Sequence, residues 1–242
     1  MKQIVIGPGT KILRLGGKPS GAVLWLLVAQ IGLFVAYAFA DGPQWVSDGL
    51  AASAKQTLGM FHLWQPLTAL WIHVPDGIHP GIGIQNLLFD VVVLWLFGTA
   101  LQRWWGVKRF LLFWLVTGVV GLTAGVLFGM LHPAWYLSGA LGSTAATLVA
   151  VSFVFPAHLL QLTVRSVLPV KGRVVSLVMA GILLVGSLAG TRWLELPVEL
   201  FGAAAGLLFV FNPRRLWAEA KLARAKKKLG VIDGGKKGDF VN

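Results

Sequence analysis

A chain of 242 residues that is 56% hydrophobic and only 12% charged, with mean hydropathy +0.75, stands far from soluble domains, whose charged share is about 25%. That composition excludes a water-soluble globular enzyme and points to an integral membrane protein. The net charge of +12 would suit nucleic acid, but the basic residues fall in short segments between apolar runs and in the tail, so membrane topology explains them and no nucleic-acid partner is expected. The absence of cysteine removes a disulfide framework, a thiolate nucleophile and any Cys-based metal site.

Residues 1–20 are polar, Gly-rich and basic and read as a cytoplasmic arm. The run 21–40 is interrupted only by Gln30. At about 1.5 Å per residue it matches a hydrocarbon core on the order of 30 Å, so it reads as the first membrane span. It ends Ala38-Phe39-Ala40-Asp41, like a signal-peptidase site, but its length exceeds the roughly 7–15 residues of a signal-peptide core. The connection 41–82 is broken by Pro43, Pro66, Pro75 and Pro80 and carries Trp45, Trp64 and Trp71. Its composition predicts a partly helical loop at the membrane interface.

Five further spans follow, at about 83–101, 110–128, 138–156, 174–188 and 194–211, giving an all-α six-span bundle over residues 21–211. The second carries Asn86 and Asp90, one turn apart on one face; the sixth carries Glu195 and Glu199 near its start. The fourth opens with Ser138-Gly139-Ala140-Leu141-Gly142-Ser143-Thr144-Ala145-Ala146, small residues that let helix backbones approach closely.

Basic loops stay in the cytoplasm, and nineteen of the 21 Lys and Arg lie in the arm, the loops after spans two and four, and the tail. Only Lys55 and Arg192 fall on the other side. The expected location is therefore the cell membrane, multi-pass, with both termini cytoplasmic. Beyond the last span, Asn212-Pro213 reads as a helix start and Gly230 as its stop. The segment 212–230 mixes Leu216, Trp217 and Leu222 with Arg and Lys, which predicts an amphipathic helix on anionic lipid head groups. Residues 231–242 read as a disordered tail.

Several motifs then resemble one family. Trp64-Gln65-Pro66-Leu67-Thr68, Trp71-Ile72-His73 and Asn86-Leu87-Leu88 are similar to the rhomboid pattern of Trp, Thr and His before a second span bearing Asn. The run from Gly98 to Phe110 resembles the family's turn from span two into span three, with Gln102 where the family usually has Glu. Gly139-Ala140-Leu141-Gly142 resembles the Gly-Ala-Ser-Gly signature of span four, and the stretch from Gly202 to Gly206 the small-residue motif of span six. The order and spacing of these motifs make the resemblance specific over residues 64–206.

The resemblance implies an intramembrane serine protease or an inactive relative that binds membrane substrates. In active members a span-four serine attacks the peptide bond, a span-six histidine takes its proton, and groups at the start of span two help to hold the oxyanion. A serine hydroxyl needs a base within hydrogen-bond reach. Here the nucleophile position holds Leu141 and the base position Glu199, and the five histidines (His62, His73, His79, His132, His158) all precede span five. The resemblance gives Asn86 and His73 as oxyanion equivalents, although without a nucleophile the plainer expectation for Asn86 is a hydrogen bond between helices; Gly139, Gly142, Ala146, Gly202 and Gly206 read as helix-packing positions.

Alternative nucleophiles are Ser138, roughly on the face of Leu141, and Ser143, about 200° round the helix from it. Either would need Glu199 as base; the plainer expectation is that both serines bond locally to the helix backbone. His73, Asp76 and His79 could offer metal ligands but read as loop residues, so no metal and no cofactor are expected. Asp90, Glu195 and Glu199 would suit a proton- or ion-coupled transporter, unless the two glutamates are simply hydrated near the outer surface or face Arg192. The reading that follows is a pseudoprotease that binds transmembrane segments of client proteins, with an atypical protease as its alternative.

Overall fold

A computed structural model describes residues 12–15, 17–19, 21–40, 42, 44–74, 82–131, 135–163, 166–189 and 193–211. The arm before residue 12, Asp76, His79, Arg192 and the expected basic helix and tail at 212–242 lie outside them. Met1–Val210 forms one unit.

The fold is mostly helical. Helix α1 spans Gly21–Phe39; in the connection after it come α2 (Gln44–Leu50), a π-turn at Lys55–Gly59 and α3 (Gln65–Thr68). The second apolar run forms α4 (Ile82–Val93), a π-helical segment Leu94–Gly98 and α5 (Thr99–Trp105), followed by α6 (Val107–Phe128), α7 (Leu141–Val154), α8 (Gly172–Ala189) and α9 (Glu195–Phe211). Among the described residues, Gly21–Phe39, Gly83–Trp105 and Val107–Leu131 are long and apolar enough to cross a membrane, while α7 and α8 are shorter apolar helices.

Two features depart from an all-α bundle of uninterrupted spans. Strands β1 (Ile12–Arg14), β2 (Leu159–Thr163) and β3 (Ser166–Lys171) form a three-stranded sheet in that order, β1 parallel and β3 antiparallel to β2. The pairing Ile12↔Leu159 lets the arm supply the edge partner that a lone hairpin lacks. The second departure is the wider turn at Leu94–Gly98, where a Cβ on Gly98 would meet Leu94 Cδ1 at 2.9 Å.

Helices α6, α7 and α9 meet on glycines. A Cβ built on Gly202 would lie 2.4 Å from the Gly142 carbonyl oxygen, one on Gly121 2.5 Å from the Val198 oxygen, and one on Gly206 2.8 Å from the Ala146 Cβ. Any side chain there would have to displace backbone. Close backbone approach replaces the hydrophobic drive that lipid cannot supply between helices. Around this seam the core is filled by Phe97, Phe110, Phe113, Leu122, Leu141 and Leu148, all at most 2% exposed.

The connection 44–74 is packed on the bundle instead of floating above it. Ala52 and Leu137 form an antiparallel bridge, the Gly139 N–H donates to the Ala69 carbonyl at 2.9 Å, and Trp71 packs on Trp114 at 5.1 Å. Asp48 accepts from Gln56 Nε2 (2.9 Å) and the Tyr136 hydroxyl (2.5 Å), joining α2 to the strand that leads into α7. These contacts bury Leu70, Ile72, His73 and Val74 and bring His73 to the start of α7.

Candidate functional site

The site is built where α7 begins. Gly139 has φ +90°, a conformation glycine adopts without strain, and a Cβ there would touch the His73 ring at 3.0 Å. The helix therefore starts at Leu141, three residues later than the apolar run, and ends at Val154, two earlier than expected. Its fourteen residues reach about 21 Å, less than a hydrocarbon core. Its first turn thus opens inside the protein, and its free amides need partners there.

Asp90 supplies one of them, at the residue that precedes the first turn. Its Oδ2 accepts the Ala140 N–H at 2.8 Å, its Oδ1 accepts the Thr144 hydroxyl at 2.5 Å, and His73 Nε2 lies 3.0 Å from Oδ2. Asp90 and His73 are each 1% exposed, and their contact is an ion pair when the imidazole is protonated. An anion at a helix N-terminus is favoured by the aligned peptide dipoles and by charge-assisted hydrogen bonds. The tautomer with hydrogen on Nε2 lets His73 donate to the carboxylate.

Asn86, one turn earlier on α4, does not reach this cluster. Its amide Nδ2 donates to Glu195 Oε1 at 3.3 Å, linking α4 to α9. The group placed at the Ala140 amide is the Asp90 carboxylate, and Asn86 makes the hydrogen bond between helices that was the plainer expectation for it. Thr144 escaped the sequence reading altogether; its spacing of three from Leu141 was the available signal. Asp90 was visible there only as a costly intramembrane acid.

Leu141, at the position that the resemblance gives to the nucleophile, is 2% exposed and packed in the core. Glu199 stands in α9, 1% exposed, its Oε1 2.5 Å from the Ser187 hydroxyl of α8. The expectation of a hydrated Glu199 near the surface is therefore corrected. Neither candidate serine is hydrogen-bonded to Glu199. Ser143 donates to the Trp114 carbonyl of α6 at 2.6 Å, and Ser138 accepts the Val74 N–H at 3.0 Å. Both bonds cross between segments, in place of the local backbone bonds expected. A buried acid leaves its charge uncompensated unless it is paired, so Asp90 and Glu199 each acquiring a hydroxyl donor is what burial demands.

At the opposite end of the bundle, Gln102 takes the place of the family's Glu. Its Oε1 accepts the Val23 N–H at 3.0 Å and caps the start of α1. Arg109 donates to the Phe209 carbonyl at 2.8 Å and stacks over Trp105 at 5.1 Å. No group of three or more His, Asp or Glu among the described residues is arranged to hold a metal ion.

A family model described as the Rhomboid domain matches residues 60–214. The chain is also similar to the Rhomboid protease GluP of Bacillus subtilis (strain 168), 30% identical over 138 residues, which is 56% of this chain and 25% of that protein. It thus aligns with a quarter of that relative's length. The matched region covers α3 to α9, the glycine seam and the start of α7, and apolar helices make up most of it. This chain is an integral membrane protein that belongs to the rhomboid family.

Proposed function

We propose that this protein is a rhomboid-fold pseudoprotease that binds transmembrane segments of client membrane proteins and does not cut them. The observation that carries the reading is the Asp90 carboxylate on the Ala140 amide beside Leu141. A protease of this design needs a hydroxyl at the nucleophile position and free N–H donors for a developing oxyanion. An aliphatic side chain cannot attack a carbonyl. An internal anion on the donor also opposes a second negative charge at the same place, since like charges a few ångströms apart repel strongly in a low dielectric.

The remaining details belong to the same proposal: six spans at about 21–40, 83–101, 110–128, 138–156, 174–188 and 194–211, both termini on the inner side, and the 212–230 helix on anionic lipid. A client helix entering between spans would find apolar surface on α4, where Ile84, Leu88 and Val92 are exposed, and the Asn86–Glu195 pair as polar partner.

The test is site-specific photocrosslinking in proteoliposomes. A photoreactive residue at Leu88 should capture a co-reconstituted single-span peptide at its full length, with less capture from a matched position on α6, Leu112. Equal capture from both positions, or recovery of cut peptide, would contradict the reading. The similarity to a protease keeps one rival in view, a peptidase using Ser138 or Ser143; in the fold, both hydroxyls have other partners.

A further inference from the structure

A cavity of about 300 Å³ lies between β1, the end of α5 and the turn after α7. Ile12 and Phe155 give it apolar walls, Trp104 and Arg103 come from α5, and His158 closes one side. The Phe155 ring holds the architecture together, lying edge-on to both Trp104 (5.6 Å) and His158 (5.2 Å). The arm that carries Ile12 is fastened to the rest of the fold: Trp95 Nε1 donates to the Gly17 carbonyl at 3.0 Å, and the Leu15 N–H to the Gln161 carbonyl at 2.9 Å. A Cβ on Gly17 would lie 3.6 Å from the Arg103 guanidinium, so Arg103 is held against the arm while remaining exposed.

Basic residues accumulate in the sequence around this cavity. From Val91 to Leu194 the sequence contains no Asp and no Glu, while Arg103, Lys108, Arg109, Arg165, Lys171 and Arg173 cluster in sequence after the second and fourth apolar runs. A guanidinium beside an imidazole and an aromatic wall, in a pocket near the smallest size that takes small ligands, selects a planar or tetrahedral oxyanion attached to something apolar. Trp104, 64% exposed next to Trp105, is the side chain expected at the boundary between head groups and hydrocarbon.

We propose that this cavity binds the phosphate head group of an anionic phospholipid, with Arg103 as the charged contact, His158 as a hydrogen-bonding wall and Trp104 against the start of the acyl chains. Its assignment to the inner leaflet rests on the orientation proposed above, whereas the head-group chemistry does not. Occupation would tie the arm, α5 and the β2–β3 sheet together at the membrane surface, so the lipid would act as a structural clamp on this end of the bundle.

Thermal unfolding of the full chain in neutral detergent, followed by tryptophan fluorescence, tests the site with short-chain phosphatidylglycerol, short-chain phosphatidylcholine and inorganic phosphate as probes. Phosphatidylglycerol should raise the midpoint saturably, phosphatidylcholine should do so much less, and inorganic phosphate should have no effect at the same concentration. Arg103→Gln should weaken the apparent affinity for phosphatidylglycerol about tenfold, the loss expected for one charged hydrogen-bonding partner. Lys171→Gln, which removes a nearby charge outside the cavity, should leave it unchanged.

Ile12→Trp fills the cavity without altering any charge and should abolish the lipid effect even if Arg103→Gln folds poorly. An undiminished response in Arg103→Gln or Ile12→Trp would overturn the site. An equal response to phosphatidylcholine would mean that the charge is not recognised, and one to inorganic phosphate would replace the lipid by a free anion. The leaflet has its own test, because the chain lacks cysteine. Lys108→Cys should react with an impermeant maleimide only after the inner face is opened; reaction in intact cells would overturn the orientation while leaving the head-group result to stand.

Discussion

The glycine seam runs over α6, α7 and α9 and meets the start of α7 at Gly142, yet the two regions treat the rhomboid pattern in opposite ways. Along the seam, Gly142, Gly202 and Gly206 stand where the pattern has small residues; a Cβ at Gly202 or Gly206 would come within 3.0 Å of the facing helix, and one at Gly142 would lie 3.0 Å from the Thr117 carbonyl oxygen. One residue before Gly142, Leu141 stands where a serine would act, and Asp90 holds the amide next to it. Packing and chemistry are therefore separable within a single four-residue motif. Helix approach depends on what is missing from a side chain, whereas catalysis depends on a particular atom being present.

Removing Asp90 should produce the largest effect, because its carboxylate satisfies the Ala140 amide, the Thr144 hydroxyl and His73 together. Asp90→Ala should destabilise the bundle by about 3–5 kcal/mol, the range for breaking a buried pair, and Asp90→Asn by less because the amide oxygen still accepts. Reversible unfolding in mixed micelles measures both; a wild-type midpoint for Asp90→Ala would show that the cluster is not what holds α7. Next comes the seam. Gly202→Ala puts a methyl group 2.4 Å from a backbone oxygen and should cost about 2–3 kcal/mol, while alanine at Gly181, which has open space, should stay near wild type. Equal costs for the two would break the contrast between seam and surface.

Ser143→Ala should cost only about 1 kcal/mol, the worth of one neutral hydrogen bond to the Trp114 carbonyl. The smallest effect is a pH dependence at Asp48. Hydrogen bonds from Tyr136 and Gln56 hold the Asp48 carboxyl below its ordinary value of 3.8, and burial followed by the bond to Asp48 pushes the Tyr136 hydroxyl up to about 12. The depressed acid contributes stability above pH 3.8 that is lost as pH falls through its folded value. The raised phenol contributes stability below its ordinary value of 10 that is lost as pH rises through about 12. The unfolding midpoint should therefore be level between these limits and fall at both ends, and Tyr136→Phe should remove the alkaline fall.

Apolar runs and the small-residue spacing announced the helices and the seam, since both are properties of side-chain size and period that a sequence displays directly. The sheet was not legible, because β1 takes its partner from residues almost 150 positions away and Leu159–Thr163 is too short to be read apart from a loop. At Leu141 and Glu199 the sequence displays residue types that lack a serine hydroxyl and an imidazole, and the structure adds that both side chains are buried. The site was not legible at Asp90, because the choice between Asn86 and Asp90 depends on how far α4 is rotated and on where α7 begins. That start is set by Gly139 and its contact with His73, which follows from the path of the 44–74 connection and not from local pattern.

The central claim is that the catalytic half of the motif is absent. Its most direct measurement is labelling of the purified, membrane-reconstituted chain with a serine-reactive fluorophosphonate. No labelling above that of heat-denatured protein is expected, with Ser138→Ala and Ser143→Ala indistinguishable from wild type. Labelling of the wild type that either substitution abolishes would contradict the claim and place an active serine in this fold.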